Sequence, residues 1–477
     1  GWCYFNLGEP KKALAQFELV IKEADANPGQ RRGELRKEAV KDLVKAYSLW
    51  FEAKPGNARK YFSKFAKTDA ELTELLERLA RFYSENGLVD NSNYIYNDLI
   101  AKNPKKFDVV RYQHEILLNV ETENEPSKLA QELNRTMMLF VKARDEKYEG
   151  ATPENVQAEY NRLEEYARET GKWYHQTYQT TKNPLYYSLA FEIYKSYLES
   201  FPEAKDNYEI MYYYADMAYF RKNYAIAASS YERVLDINEK GEFSKDAAHG
   251  AVLAYHELIR TGDEETCPPV PELDAKAAPQ PIAECRLKFI AASKRYSKID
   301  TSEDYAINSK YEAAKIYYDY NHVDEAAPLF REITKENPKH SLAIYSANPL
   351  LDIYNMKEDY EGMWDAIKEL KANKELMTNP DPATPELVAL LNGSEEHLAF
   401  KMCEQKEEGK MWEAAAMCYE AFAKNSPQSP NAVKAMWNAS QDWENASEVG
   451  RAIEARVALL TGKENSDSAT LAPRAMY

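Results

Sequence analysis

The stretch LERLARFYSENGLVDNSNYIYNDLIAKNP, residues 76–104, decides the fold. Leu79, Ala80 and Tyr83 fall at helical spacing, Gly87 interrupts them, and a second stripe runs through Ser92, Tyr96 and Leu99 before Pro104. The pattern predicts two amphipathic helices joined by a glycine turn, with a proline that cannot continue the second. The second helix opens on a small side chain, where two backbones can approach, and an aromatic follows four residues later. Working outward, the same spacing returns as Gly1, Tyr4, Gly8, Ala13, Phe17 and Val20 at the start of the chain. It returns again through Ala215, Ala218, Tyr224, Ala227, Tyr231 and Val234, and through Ala314, Tyr317, Asn321, Ala326, Phe330, Ile333 and Pro338.

The small residue that opens each second helix sets a register: Ala13, Ala58, Ser92, Ala130, Ala190, Ala227, Cys285, Ala326, Met363, Ala414 and Ala452. Many of the steps are 34–38 residues and the rest are longer. This spacing is similar to that of the tetratricopeptide repeat (TPR) superfamily over nearly the whole chain. The resemblance implies an all-α, right-handed α-solenoid of about eleven stacked antiparallel helix pairs, with a long concave face. Gly1 falls in the middle of a first helix, so the first pair is expected to be truncated and a segment is expected before it in the natural protein.

Departures from the period divide the chain. Residues 1–150 read as N-terminal repeats, and 151–261 as a long helix over 153–181, opened by Thr152-Pro153, followed by tyrosine-rich repeats. Residues 262–282 hold prolines at 268, 269, 271, 279 and 281 and read as an insert joining the two helices of one pair. Repeats resume over 283–372, residues 373–385 form a proline-broken linker and candidate hinge, repeats return over 386–460, and 461–477 read as a polar tail. Pro349 inside a first helix predicts a kink.

Composition narrows the function. The 477 residues carry 61 Lys+Arg against 78 Asp+Glu, a net charge of −17, which gives no footprint for wrapping nucleic acid or an anionic membrane surface. A 44% hydrophobic content is ample for a large core, and only 16 glycines disfavour glycine-rich nucleotide folds. No run approaches the ~20 apolar residues of a spanning helix. Phosphate-cradling loops, nucleophile elbows and HExxH are absent, and the histidines at 114, 175, 249, 256, 322, 340 and 397 are scattered, so no metal, cofactor or catalytic residue is expected. Cys267 and Cys285 bracket the proline insert, and Cys403 and Cys418 lie on neighbouring predicted helices. Two disulfides are open to these pairs, with buried free thiols as the alternative.

Tyrosine, at 35 residues, is over-used, densest between 173 and 231. Most of these rings should fill contacts between helices, but Trp173, Tyr174, Tyr178, Tyr212 and Tyr213 are candidates for a partner-binding face. Pro268 and Pro271 of the insert are a second candidate. The segment Leu35-Arg36-Lys37-Glu38-Ala39-Val40-Lys41-Asp42-Leu43-Val44-Lys45-Ala46-Tyr47 is similar to the TPR component of bacterial gliding-motility machinery. That resemblance implies a periplasmic or outer-membrane-associated scaffold that binds other proteins, with the cytoplasm as the alternative compartment. Two other readings compete: a glycan- or peptidoglycan-binding module with a tyrosine- and tryptophan-lined groove, and an enzyme on a closed α/α ring.

Overall fold

A computed structural model describes residues 1–27, 29–50, 52–263, 265–273, 277–300 and 304–461. The chain divides into two compact units, residues 1–221 and 222 onward. The polar tail beyond residue 461 lies outside the described residues.

The first unit contains α1 (Trp2–Asn6), α2 (Pro10–Ala26), α3 (Gln30–Ser48), α4 (Ala58–Phe62), α5 (Asp69–Glu85), α6 (Val89–Lys102), α7 (Asp108–Glu121), α8 (Pro126–Asp145), α9 (Pro153–Thr181), α10 (Pro184–Ser200) and α11 (Asn207–Phe220). The second contains α12 (Tyr224–Ile237), α13 (Ser244–Thr261), α14 (Glu284–Ile299), α15 (Asp304–Asp319), α16 (Val323–Glu336), α17 (Ser341–Met356), α18 (Tyr360–Ala372), α19 (Lys374–Met377), α20 (Thr384–Glu408), α21 (Trp412–Asn425), α22 (Ala432–Asn445) and α23 (Val449–Thr461). Most helices pack chiefly on their neighbours in the chain, the arrangement of an all-helical array of helix pairs.

The repeat is written in the backbone of its turns. At Gly87 φ is +74°, the next residue's N–H (Leu88) bonds back to the Tyr83 carbonyl, and the Leu88 carbonyl accepts from Ser92 N–H. The same three-part turn occurs at Gly8, Asn321, Glu358, Lys410 and Ser447, leading to Ala13, Ala326, Met363, Ala415 and Ala452. A left-handed residue lets the chain reverse while satisfying carbonyls at the end of the first helix, and the small residue then sits one turn into the second. The register expected at Ala414 is therefore off by one: Ala414 is exposed, and Ala415, four residues before the buried Tyr419, is the buried small residue.

In the first unit a core runs from Ala13 through Phe62 and Leu79 to Val120. Arg36 on α3 ties three helices together. Its Nε donates to Asp25 Oδ1 on α2 at 2.8 Å, Nη1 to Glu71 Oε1 on α5 at 2.8 Å, and Nη2 to the Phe65 carbonyl. Farther on, α9 is 29 residues long, as expected from Thr152-Pro153, and the Thr152 side chain caps it. It runs antiparallel to α10: Tyr178 meets Tyr187 at one end, and Glu164 accepts from the Tyr197 hydroxyl at 2.6 Å farther back. Gly171 permits the close approach, since a Cβ there would lie 2.8 Å from the Tyr194 ring.

In the second unit the proline insert lies between α13 and α14, which pack on each other. Cys267 and Cys285 are disulfide-bonded, with Cα atoms 5.8 Å apart. Arg286 Nη1 donates to the Pro268 carbonyl at 2.6 Å, the Gln280 amide donates to the Tyr320 carbonyl, and Asn321 Nδ2 donates to the Ala277 carbonyl. Residues 373–385 contain α19, whose Leu376 is fully buried, and Asn379 Nδ2 donates to the carbonyls of Pro338 and His340. These bonds tie the segment to the connection between α16 and α17. Pro349 lies within α17, and α20 and α21 are joined by the Cys403–Cys418 disulfide.

Candidate functional site

The first unit carries an open groove of about 810 Å³. One wall is the turn between α7 and α8, with Glu121, Asn124, Glu125, Pro126 and Leu129. The other is the middle of α9, from Arg162 through Glu165, Tyr166, Glu169 and Thr170 to Trp173, with Tyr186 of α10 at the end. The steps 162, 166, 169, 173 put these α9 residues on one helix face. The α7–α8 hairpin is fixed at its base, where Phe107 N–H donates to the Glu149 carbonyl at 2.8 Å and Glu149 N–H donates to that of Lys105 at 2.9 Å. At the groove floor the Tyr174 hydroxyl donates to the Pro126 carbonyl at 3.0 Å, locking α9 to the α8 N-terminus.

Trp173 is the open aromatic of the groove, 54% exposed. Its ring stands perpendicular to that of Tyr186, with the centroids 5.8 Å apart. Tyr166 lies deeper. Burial, and then the nearby Glu121 charge, push its hydroxyl above the ordinary tyrosine range. Behind it the His114 ring on α7 lies 6.1 Å away, and burial lowers that imidazole to about 4, so it is neutral at pH 7. Glu121, Glu125 and Glu165 are exposed and have no ion-pair partner among the described residues, whereas Glu169 pairs with Arg168. Arg162, 3.9 Å from Glu159, is the cation of the lining.

The residues expected to form one binding face separate. Trp173 lines the groove and is open. Tyr174 also borders the groove but is fully buried, its hydroxyl donating to the Pro126 carbonyl. Tyr178 is half-buried, its ring 4.8 Å from Tyr187 and outside the groove. Tyr213 is half-buried too, stacked near Tyr194, its hydroxyl donating to Glu209 at 2.9 Å, and Tyr212 lies 6.0 Å from it. Neither lines the groove. In the second unit Pro268 is half-buried and Pro271 exposed, on an insert bonded down on both sides.

Sequence reading missed Glu121, Glu125, Glu165, Glu169 and Tyr166. Their signal on α9 was local: two exposed acids at i, i+4 flanking a tyrosine, one turn before an exposed tryptophan. The contribution of the α7–α8 turn depends on tertiary packing and left no mark in the linear pattern. Among the described residues no group of three or more His, Cys, Asp or Glu is arranged to hold a metal ion, and no helix is long and apolar enough to cross a membrane.

No protein-family model matches the chain, and no curated protein matches it. Among solved structures it is similar to the apo form of RapI, at 13% identity over 80% of this chain and 98% of that one, with a TM-score of 0.25. A tetratricopeptide repeat protein from Parabacteroides merdae is 13% identical over 77% and 99% of the two chains, with a TM-score of 0.20. The P58(IPK) TPR domain is 12% identical over 80% and 97%, with a TM-score of 0.19. Overlays this loose add nothing to the fold, which rests on the chain's own helix pairs and turns.

Proposed function

We propose that the chain is a protein–protein interaction scaffold that binds partner peptides or helices, as a component of a larger bacterial cell-envelope assembly of the gliding or secretion kind. The observation that carries the scaffold reading is the groove of the first unit: open, floored by aromatic and aliphatic side chains, and rimmed by charge. A shallow surface of this kind suits a polypeptide segment, which gains contact area along its length. The envelope reading draws support from the two disulfides, since such bonds persist in oxidising compartments such as the periplasm. Its narrower assignment rests on the resemblance of residues 35–47.

Crosslinking with mass spectrometry in the native cell envelope tests this function. The expected result is crosslinks from several helix pairs to one or two fixed envelope proteins. Recovery of no protein partner overturns the scaffold. A second reading, glycan binding, is favoured by the exposed Trp173 ring beside Tyr186, an aromatic surface on which a sugar ring could stack. Sedimentation with insoluble peptidoglycan separates the two: retention lost in Trp173→Ala, with no protein crosslinks, would favour the glycan.

A further inference from the structure

The charge of the groove names its occupant more narrowly. Four carboxylates border it. Glu121 and Glu125 stand on the α7–α8 side, and Glu165 and Glu169 stand one helical turn apart on α9. Between them lie apolar surfaces, Leu129 and the rings of Trp173 and Tyr186. Arg162 offsets only one end and is already shared with Glu159. Among the described residues Glu121, Glu125 and Glu165 form no ion pair, and Lys128, which lies within electrostatic reach of Glu125, is paired with Glu123, so the rim keeps a net negative field over the aromatic floor.

We propose that this groove binds a cationic peptide segment, with one apolar or aromatic anchor seated against Trp173 and Tyr186 and lysines or arginines on both sides of it. The flanking cations would meet Glu121 and Glu125 on one wall and Glu165 and Glu169 on the other. The anchor supplies the buried contact and the rim supplies orientation and speed of association. An acidic peptide would meet like charges on both walls. A neutral sugar could stack on the indole and donate hydroxyls to one or two carboxylates, but it would leave the negative charge of the rim uncompensated. A second copy of this chain carries a net charge of −17 and would be repelled on approach. This inference rests on the scaffold reading and sharpens it to a partner of stated charge.

The test uses the full chain and a fluorescein-labelled synthetic peptide with a central Phe-Leu anchor flanked by lysines, read by fluorescence anisotropy. A matched peptide has glutamates in place of the lysines. The lysine peptide is expected to bind, and the glutamate peptide to bind at least tenfold more weakly. Glu165→Lys should weaken the lysine peptide about tenfold, a loss of about 1.4 kcal/mol in binding, and added salt should weaken it further. Glu165 is solvent-exposed, so the variant should keep the circular dichroism of the parent. Trp173→Ala should weaken both peptides through the anchor.

Equal binding of the two peptides, or no effect of Glu165→Lys, overturns the proposal. So does binding of neither peptide. Crosslinks in cells from Lys172, beside Trp173 on α9, to an acidic segment of a partner would also overturn the charge assignment while leaving the scaffold standing. The scaffold itself fails only if no protein partner crosslinks at any face.

Discussion

Single residues in this chain carry charge in places where the surrounding packing decides its cost. Asp442 on α22 has no exposed surface, and neither carboxylate oxygen meets a hydrogen-bond partner among the described residues. Burial, with the Glu407 charge adding to it, pushes this carboxyl from its ordinary 3.8 up to about 7. Between those pH values the unfolded chain has released the proton while the fold retains it. Stability should therefore fall as pH rises from about 4 to about 7 and level off above that. Asp442→Asn keeps the shape and cannot ionise. It should be close to neutral at pH 4 and stabilising at pH 8 by about 1–3 kcal/mol, the range for relieving an unsatisfied buried polar group. Urea unfolding at the two pH values checks this, and an equal effect at both would mean the charge is not buried as described. Arg36 is the opposite case, a buried cation with each arm occupied. Arg36→Ala should cost about 2–4 kcal/mol in urea unfolding, and Arg36→Lys should recover little, because a point charge cannot serve two carboxylates and a carbonyl at once.

The elements show why part of the fold was legible and part was not. Within a pair, the turn places the second helix by backbone geometry alone, so Gly87 followed by Ser92, Tyr96 and Leu99 could be read directly. Where the left-handed position is held by Asn321, Glu358, Lys410 or Ser447, no glycine marks it and only the spacing of the stripes remains. The one-residue slip at Ala414 arose there, at a turn whose left-handed residue is a lysine. The long α9 was legible because its cap and first-turn proline are local features. Its groove was not, because the opposite wall comes from a turn some forty residues earlier. The same turns predict opposite outcomes for opposite substitutions. Lys410, at φ +56°, should gain about 1 kcal/mol on Lys410→Gly, since glycine adopts that conformation without strain. Gly87→Ala, at φ +74°, should lose about the same. A Cβ at Gly87 would meet no neighbour within 4 Å, so backbone conformation alone is tested, and thermal melts of the two variants read it.

At the scale of the whole molecule, the covalent cross-links are confined to one of the two units. Both disulfides lie after residue 222, whereas the first unit holds only the exposed free thiol of Cys3. In an array whose helices contact mainly their neighbours, removing a cross-link should weaken the local pairs first. Each bridge closes a short segment, with partners 18 and 15 residues apart. A loop of that size is worth about 3 kcal/mol through the unfolded chain's lost entropy. Hydrogen exchange with mass spectrometry, with and without dithiothreitol, reads the consequence segment by segment. Amides of α14 and of α20–α21 should exchange faster after reduction, while those of α5–α10 should be unchanged. Cys403→Ser with Cys418→Ser should reproduce the α20–α21 part alone and leave the insert around Pro268 protected. Faster exchange throughout residues 1–221 would show instead that the chain opens as a single cooperative body. If only the second unit responds, the charged groove on α9 keeps its shape in reducing and oxidising surroundings alike. Peptide binding there would then be independent of the redox state that governs the other unit.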